Sequence, residues 1–423
     1  MIYKISHPPR RRRLFRNDNI TLKTINLHKQ TIGFYIMWVR IKIIYVFLSV
    51  ILFNSSGFSQ LFPVLGNERI DNLTLLPQGY MLPNLSGYGY SKTIGDVSNI
   101  GNMNPASLTF YNSISGGISY QYDSKIDEAW IADLGYAKNK YGLPQSAGFV
   151  YPYRNIRLGI GFNQKINQSL IEKDEPVRTT EHPEGTGEYF STIQDFNILS
   201  CSFSLAWSVK NRIVKEDKLS IGLRYELNML NVYEQIWHFN AKGQFYSSSY
   251  ALGLTYEGLS KDDFNYKVSL FFEKGVRLSG VLRTSYDYLY PNNITTTGKT
   301  PDKINAGLDF NMSSPLRIST NFCYVLWHNV GDADNQAEVS LSALYNYSEI
   351  VSFSFGTYFI RYNSPFISNF FGAADKLNAV YLSAGTVIHY GQVDFNFGLA
   401  DSHLMSGNWR KQTVGMVALS FHL

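Results

Sequence analysis

Cysteine is nearly absent from this chain of 423 residues, where only Cys201 and Cys323 occur. Neither stands in a metal-ligand spacing, which excludes a disulfide scaffold and a zinc module. Each falls inside a predicted strand, so two buried or lipid-facing thiols are expected rather than a bridge. Long hydrophobic runs are missing too. The apolar stretch from Ile43 to Phe53 is about eleven residues long, whereas a membrane-spanning helix needs about twenty. Few stretches place apolar residues at spacings of three and four, which excludes a mainly helical protein. His182, His238, His328, His389 and His403 are scattered, and none sits in a nucleophile-elbow or metal-binding context. No catalytic residue, metal site or cofactor is assigned, and the chain is not read as an enzyme.

What the sequence has in abundance is alternation. From Ser113 to the C-terminus, roughly every ten to thirteen residues, apolar and polar side chains alternate and then break at Gly, Asn, Asp or Pro. Leu219, Ile221, Leu223, Tyr225, Leu227 and Met229 make one face; Ser220, Gly222, Arg224, Glu226 and Asn228 make the other. Val351, Phe353, Phe355, Thr357 and Phe359 repeat the device, as do Ile304 to Met312, Val380 to Ile388 and Val393 to Leu399. The pattern predicts an all-β, transmembrane antiparallel β-barrel, apolar outside and polar inside. A soluble β-sandwich shares the period, but so many long strands would then need polar outer faces on both sheets. Aromatic residues reach 15%, with 30 Tyr against 6 Trp, which suits girdles whose hydroxyls face water.

The front of the chain reads differently. Met37 to Lys42 is a short basic region, Ile43 to Phe53 an apolar core, and Asn54 to Ser59 a small-residue exit before Gln60. Residues 37–59 are therefore predicted to be a secretory signal peptide cleaved near Ser59. Residues 1–36, with the basic run Arg10 to Arg13, precede it as an extended leader or as the product of an upstream start codon, so Met1 and Met37 are both candidate starts. Without residues 1–60 the formal charge of +5 becomes −4, from 28 Lys and Arg against 32 Asp and Glu. The basic balance belongs to the leader, and nucleic acid drops out as a partner.

Residues 60–112 lack alternation and are rich in turns, Gly and Asn, yet carry Leu73, Leu75, Leu76, Met81, Leu82 and Leu85. Such a segment suits a barrel lumen, and a plug or hatch is expected there, with a loose periplasmic tail as the plainer alternative. Residues 113–423 form the barrel. Sixteen candidate strands are read: 113–123, 127–138, 144–153, 156–170, 189–209, 217–238, 246–257, 264–273, 275–287, 302–313, 315–328, 335–347, 349–362, 377–390, 392–400 and 411–423. Ser313 to Pro315 and Tyr390 with Gly391 suit short periplasmic turns, whereas Glu172 to Glu188, Pro291 to Pro301 and Ser364 to Lys376 suit extracellular loops. The last strand ends with Val417, Leu419, Phe421 and Leu423 on one face.

Three stretches resemble the FadL-type family of outer-membrane transporters for long-chain fatty acids and other hydrophobic compounds. Gly87 to Leu108 is similar to its glycine-rich opening followed by an Asn-Pro-Ala box, here Asn104, Pro105 and Ala106. Thr300 to Trp327 resembles a Pro-led strand, a short turn and a strand ending in Trp, and Asp375 to Gly398 resembles the penultimate hairpins. The resemblance implies about fourteen strands and a hatch, with hydrophobic molecules crossing an internal pocket and leaving sideways through a kink in the wall. Sixteen candidates then reduce to fourteen, with 246–257 and one other treated as loop. One departure stands out: where the family has a long extracellular excursion forming an apolar landing groove, only about Phe239 to Ser248 is present.

Asn104 and Pro105 are the hatch candidates, because Pro fixes φ without offering a donor and the preceding Asn can close a turn through its side chain. An ordinary turn before a strand is the alternative. Gly87, Gly89, Gly95 and Gly101 would let the backbone pack closely inside the bore. The expected function is passive transport of hydrophobic small molecules across the bacterial outer membrane, with membrane lipids and an apolar ligand as partners. A secretion-associated or structural barrel that binds a protein partner is the alternative.

Overall fold

A computed structural model describes residues 96–123, 135–138, 144–176, 180–210, 217–236, 239–259, 265–284, 293–311, 315–330, 335–361, 378–405 and 411–423. The leader, the signal peptide and residues 60–95 of the expected hatch lie outside the described residues, as do Gly87, Gly89, Gly95 and residues 364–376.

Fourteen strands form one closed antiparallel barrel. They are β1 (Ser115–Asp123), β2 (in two pieces, Gly135–Lys138 and Ser146–Tyr153), β3 (Ile156–Pro176), β4 (Tyr189–Lys210), β5 (Lys218–Ile236), β6 (Phe239–Leu259) and β7 (Asn265–Glu273 and Arg277–Thr284). They continue as β8 (Asn293–Lys299 and Asp302–Asn311), β9 (Leu316–Leu326), β10 (Gln336–Asn346), β11 (Val351–Ile360), β12 (Ala379–Tyr390), β13 (Val393–Asp401) and β14 (Thr413–His422). Each strand pairs with its chain neighbours, and β1 closes the ring on β14 from Ser115 opposite His422 to Asp123 opposite Val414. Ser115 Oγ and His422 Nδ1 lie 2.9 Å apart across that seam. Closure satisfies the main chain without an edge, as hydrocarbon surroundings require. Short turns and the chain's last residue lie at one end of the bore, here called the lower end.

Fourteen is thus the number, but reached by a different route. Residues 246–257 are wall, in register with β5 from Tyr246 opposite Met229 to Tyr256 opposite Leu219. The reduction comes from two mergers. The pieces of β2 both pair with β3, and the pieces of β7 form one interrupted strand along β8. Part of the expected loop Pro291 to Pro301 is strand, since Asn293–Lys299 pairs with Arg277–Arg283. Glu172 to Pro176 likewise still belongs to β3. The stretch Phe239 to Ser248, read as a vestigial excursion, is the upper half of β6.

Strand lengths are unequal, and this sets the shape of the upper end. β3, β4, β5 and β6 have 21, 22, 19 and 21 residues, about twice the nine to eleven that cross a bilayer. Their upper halves, with the upper pieces of β7 and β8, rise as a crest beyond the apolar belt. The faces exchange character there. In the lower half of β5 the outward residues Ile221, Leu223, Tyr225 and Leu227 are exposed, and Gly222, Arg224, Glu226 and Asn228 face the bore. Above Met229 the bore side carries Leu230 and Val232, while Asn231, Tyr233 and Gln235 point outward. β4 reverses at Ile198 and Leu199, and β6 at Phe245 and Tyr246. These residues are cross-strand partners, Leu199 with Met229 with Tyr246, so the reversal runs level across the wall.

The outer face of the belt contacts hydrocarbon and that of the crest contacts water, and substitutions should report this. In bilayer refolding titrations, Leu223→Arg is expected to destabilise the barrel by about 2–4 kcal/mol. Asn231→Arg, outward but above the reversal, should change stability by no more than about 0.5 kcal/mol.

Candidate functional site

The chain from Asp96 to Asn112 lies inside the bore. It rises from the lower end through a short 3-10 helix, Val97–Asn99, turns at Ile100 to Asn104, and returns to β1 through a second, Pro105–Phe110. Nearly every residue from Asp96 to Thr109 is buried. Val97, Ile100, Met103 and Leu108 pack with wall residues Val150 and Ala206. Polar contacts fix the rest. Ser146 Oγ donates to Asn99 Oδ1 at 2.7 Å, Asn163 bonds Asn102 and the Gly101 carbonyl, and Thr109 Oγ1 donates to Ser220 Oγ at 2.8 Å.

The wall makes room for this segment with glycines. A Cβ on Gly222 would lie 2.3 Å from the Ala106 nitrogen, one on Gly148 would lie 2.1 Å from the Val97 carbonyl oxygen, and one on Gly161 would lie 2.7 Å from the Gly101 nitrogen. Gly253 stands against Asn104 itself, where a Cβ would lie 1.8 Å from Oδ1. These glycines come from β2, β3, β5 and β6; the first three seat main chain of the segment, and Gly253 seats the Asn104 side chain.

Asn104 and Pro105 occupy that seat. Asn104 Oδ1 accepts from the Ala106 N–H at 3.0 Å, capping the helix whose first residue is Pro105. Its amide Nδ2 donates across the bore wall to the carbonyls of Leu254 at 3.2 Å and Leu270 at 3.3 Å. The pair therefore makes an ordinary local cap and also docks on two strands, which the sequence could not distinguish. Of the four candidate glycines only Gly101 is described, and it packs against Asn163.

Above the turn of the segment sits a quartet of buried charges. Lys165 Nζ contacts Glu226, and also Glu273 Oε1 at 2.9 Å. Arg224 Nε donates to Glu226 Oε1 at 2.6 Å, and Nη2 lies 3.6 Å from Glu273 Oε2. Arg224 Nη1 also donates to the Met103 carbonyl at 2.5 Å, and the guanidinium lies 5.4 Å from the Phe271 ring centre. One layer higher, Asn228 Nδ2 donates to Ser249 Oγ at 2.9 Å, and Ser249 Oγ donates to Glu226 Oε2 at 2.6 Å. Above that the bore turns apolar, lined by Phe196, Ile198, Leu230, Val232, Phe245, Val276, Cys323, Val325 and Trp327, with Ile166 against them. Tyr358, Ile360, Ala379, Tyr381 and Met416 make a second apolar group on β11, β12 and β14.

Among the described residues, β3 pairs with β2 from Ile156 opposite Tyr153 to Asn163 opposite Ser146 and from Ser169 opposite Lys138 to Glu172 opposite Gly135. Beside the quartet, Gln164 N–H donates to the Gln145 carbonyl at 2.9 Å. On its other flank β3 bulges between Gln164 and Ile166, and the extra residue is Lys165.

Near the lower end lies a polar cavity of about 660 Å³, lined by Asp96, Tyr111, Arg317, Glu349, His389, Asp394 and His422 among others. His389 Nδ1 lies 2.7 Å from Asp394 Oδ1, and His422 Nε2 lies 3.3 Å from Asp394 Oδ2. Burial pushes the Asp96 carboxyl up from the ordinary carboxylate range, against the opposing effect of the Ser98 bonds. Ser115, His422 and Asp394 form a bonded chain, but Ser115 is fully buried and shares its hydroxyl with the Ser113 carbonyl, so it presents no nucleophile to the cavity. His403 is bonded to Asp401. Among the described residues no group of His, Cys, Asp and Glu could hold a metal ion. Cys201 faces outward and Cys323 inward, both as thiols.

No family model and no curated protein matches the chain. Solved structures share its fold. The toluene transporter TbuX of Ralstonia pickettii is similar with a TM-score of 0.57 and 13% identity, over 82% of this chain and 99% of that one. A Pseudomonas aeruginosa FadL homologue gives 0.52 at 10% identity, over 81% and 99%. The P. putida toluene transporter TodX gives 0.52 at 10%, over 82% and 99%. At such identities the likeness is one of fold: a FadL-type barrel, spanned nearly end to end.

The glycine seat yields a direct test. Gly222→Ala forces main chain to move, an overpacking worth about 1–3 kcal/mol, and should raise amide exchange across residues 96–110 while the barrel stays folded. Gly415→Ala meets nothing within 4 Å and should leave exchange unchanged.

Proposed function

We propose that the protein lets hydrophobic small molecules cross the bacterial outer membrane passively. The level reversal of apolar and polar faces carries this reading. A crest that is polar outside and apolar inside offers an oily lining directly above the membrane, where a molecule leaving water can shed its hydration. Burial of each methylene contributes about 0.8 kcal/mol, so a compound of modest size is held well enough to be concentrated there. The crest takes the place of the landing groove that the chain lacks. The shared fold with barrels described as toluene transporters and as a FadL homologue supports the same class of cargo, aromatic hydrocarbons or lipid-like chains.

Below the lining, residues 60–112 act as the hatch, with Asn104, Pro105 and Gly101 as its gate and Gly87, Gly89 and Gly95 as further gate candidates. Export follows cleavage of the signal peptide at 37–59. The chain works as a transporter without catalysis or cofactor, with membrane lipids around its belt.

Replacing both Asn104 and Pro105 by Ala removes the wall bonds and the helix start, a loss of about 1–3 kcal/mol in holding the hatch. The leak of small polar solutes from proteoliposomes is expected to rise by roughly tenfold, since about 1.4 kcal/mol is a factor of ten, while the folded barrel keeps its heat-sensitive gel mobility. Unchanged permeability would remove the gate assignment. Extraction of the purified protein should also release a hydrophobic compound; a stoichiometric protein partner and no such compound would point to a secretion-associated or structural role.

A further inference from the structure

The quartet of Lys165, Arg224, Glu226 and Glu273 lies across the only stretch of β5 that joins the apolar lining to the hatch. Along that strand the bore-facing residues run Val232, Leu230, Asn228, Glu226, Arg224 and Gly222 from top to bottom. On the β3–β7 side of the bore this layer stands between the apolar lining and the hatch. Its charges are balanced two against two, and both cations are committed to the two carboxylates. Glu226 and Arg224 are fully buried, and Lys165 and Glu273 nearly so.

We infer that Glu226 and Glu273 determine charge specificity: by neutralising Lys165 and Arg224 they reserve the passage for uncharged molecules and turn away carboxylates of the same size. The inference rests on the transport reading above and narrows its cargo. A carboxylate arriving at the layer finds the Lys165 ammonium on both glutamates, Arg224 Nε on Glu226, Nη1 on the Met103 carbonyl and Nη2 3.6 Å from Glu273, and must displace a glutamate into a poorly solvated bore to gain a full pairing. A buried charge without a partner is strongly unfavourable. A neutral ring or chain displaces nothing. The excluded anion is set by the partners of the cations, so removing those partners should create a carboxylate site where none exists, with Lys165 and Arg224 as its donors.

Ethylbenzene and 3-phenylpropionate share the same phenylethyl group and differ by a carboxylate that is charged at neutral pH. Their binding to the full chain in nanodiscs, corrected for uptake by protein-free discs, is the measurement. The wild type is expected to favour ethylbenzene by at least about tenfold, the scale of one lost charge-assisted bond. Glu226→Gln/Glu273→Gln is expected to bring 3-phenylpropionate to parity or better through a gain in its affinity. Glu273→Gln alone, at the less buried carboxylate, should shift the ratio the same way by less, and serves if the double variant does not assemble. Lys165→Met/Glu273→Gln removes one charge of each sign and should keep the wild-type preference. Equal binding of both probes by the wild type, or no gain by the anion in either Gln variant, overturns the inference while leaving the transport reading intact. If neither probe binds the wild type, the reading of the apolar lining fails and this inference falls with it.

Discussion

Main-chain hydrogen bonding in a medium without water is the constraint on which this structure depends. Every N–H and C=O of the belt must find a partner within the wall, and a ring of strands closed from Ser115 to His422 provides that. Closure then dictates the sequence. Alternate residues face hydrocarbon, so Leu223 and Tyr225 must be apolar, whereas Arg224 and Glu226 are free to be charged because they face inward. Fourteen strands leave a bore too wide for wall side chains to fill, and the chain fills it with its own main chain. That choice explains Gly148, Gly161 and Gly222: only the smallest residue lets a second backbone lie against the wall.

Where the hydrocarbon ends, the same constraint reverses the pattern. A wall standing in water on its outer side gains nothing from apolar residues there and is stabilised by placing them inside. β4, β5 and β6 achieve the reversal with two consecutive apolar residues, Ile198 and Leu199, Met229 and Leu230, Phe245 and Tyr246. β3 does it with a bulge at Lys165, since an extra residue shifts all that follow to the other face.

Much of the barrel was legible in the sequence, because period-2 alternation is a local signal and the inward or outward assignment of Leu219 to Met229 follows from it alone. The misreadings have local causes. Residues 246–257 look like a loop because Ser247, Ser248 and Ser249 interrupt the pattern; Ser249 faces the bore and bonds Glu226, and Gly253 is small to admit Asn104. The stretches 139–145 and 274–276 look in the sequence like turns between strands, although the described pieces on either side of each lie along one neighbouring strand. The apolar doublets that mark the reversal were visible but mean nothing until register aligns them. The site was legible only in part. Asn104 and Pro105 stand out locally, whereas Lys165, Glu226 and Glu273 meet through register over distances in the chain that composition and spacing do not encode.

The way the luminal segment is held bears on how it could let go. Two of its anchors, Asn104 to the Leu254 and Leu270 carbonyls, use oxygens of two residues that are opposite one another in the β6–β7 ladder. A carbonyl oxygen has two lone pairs, so it can serve the ladder and accept from Asn104 together. Releasing Asn104 then breaks no wall bond, and the wall need not deform for the segment to leave its seat. Its apolar grip is small, limited to Val97, Ile100, Met103 and Leu108 on a few wall residues. The strongest opposing tie is the guanidinium of Arg224 on the Met103 carbonyl, and Arg224 is held in turn by Glu226 and Glu273. A disturbance of those carboxylates from above reaches the segment through one side chain, whereas a disturbance of the outer belt has no comparable route to it.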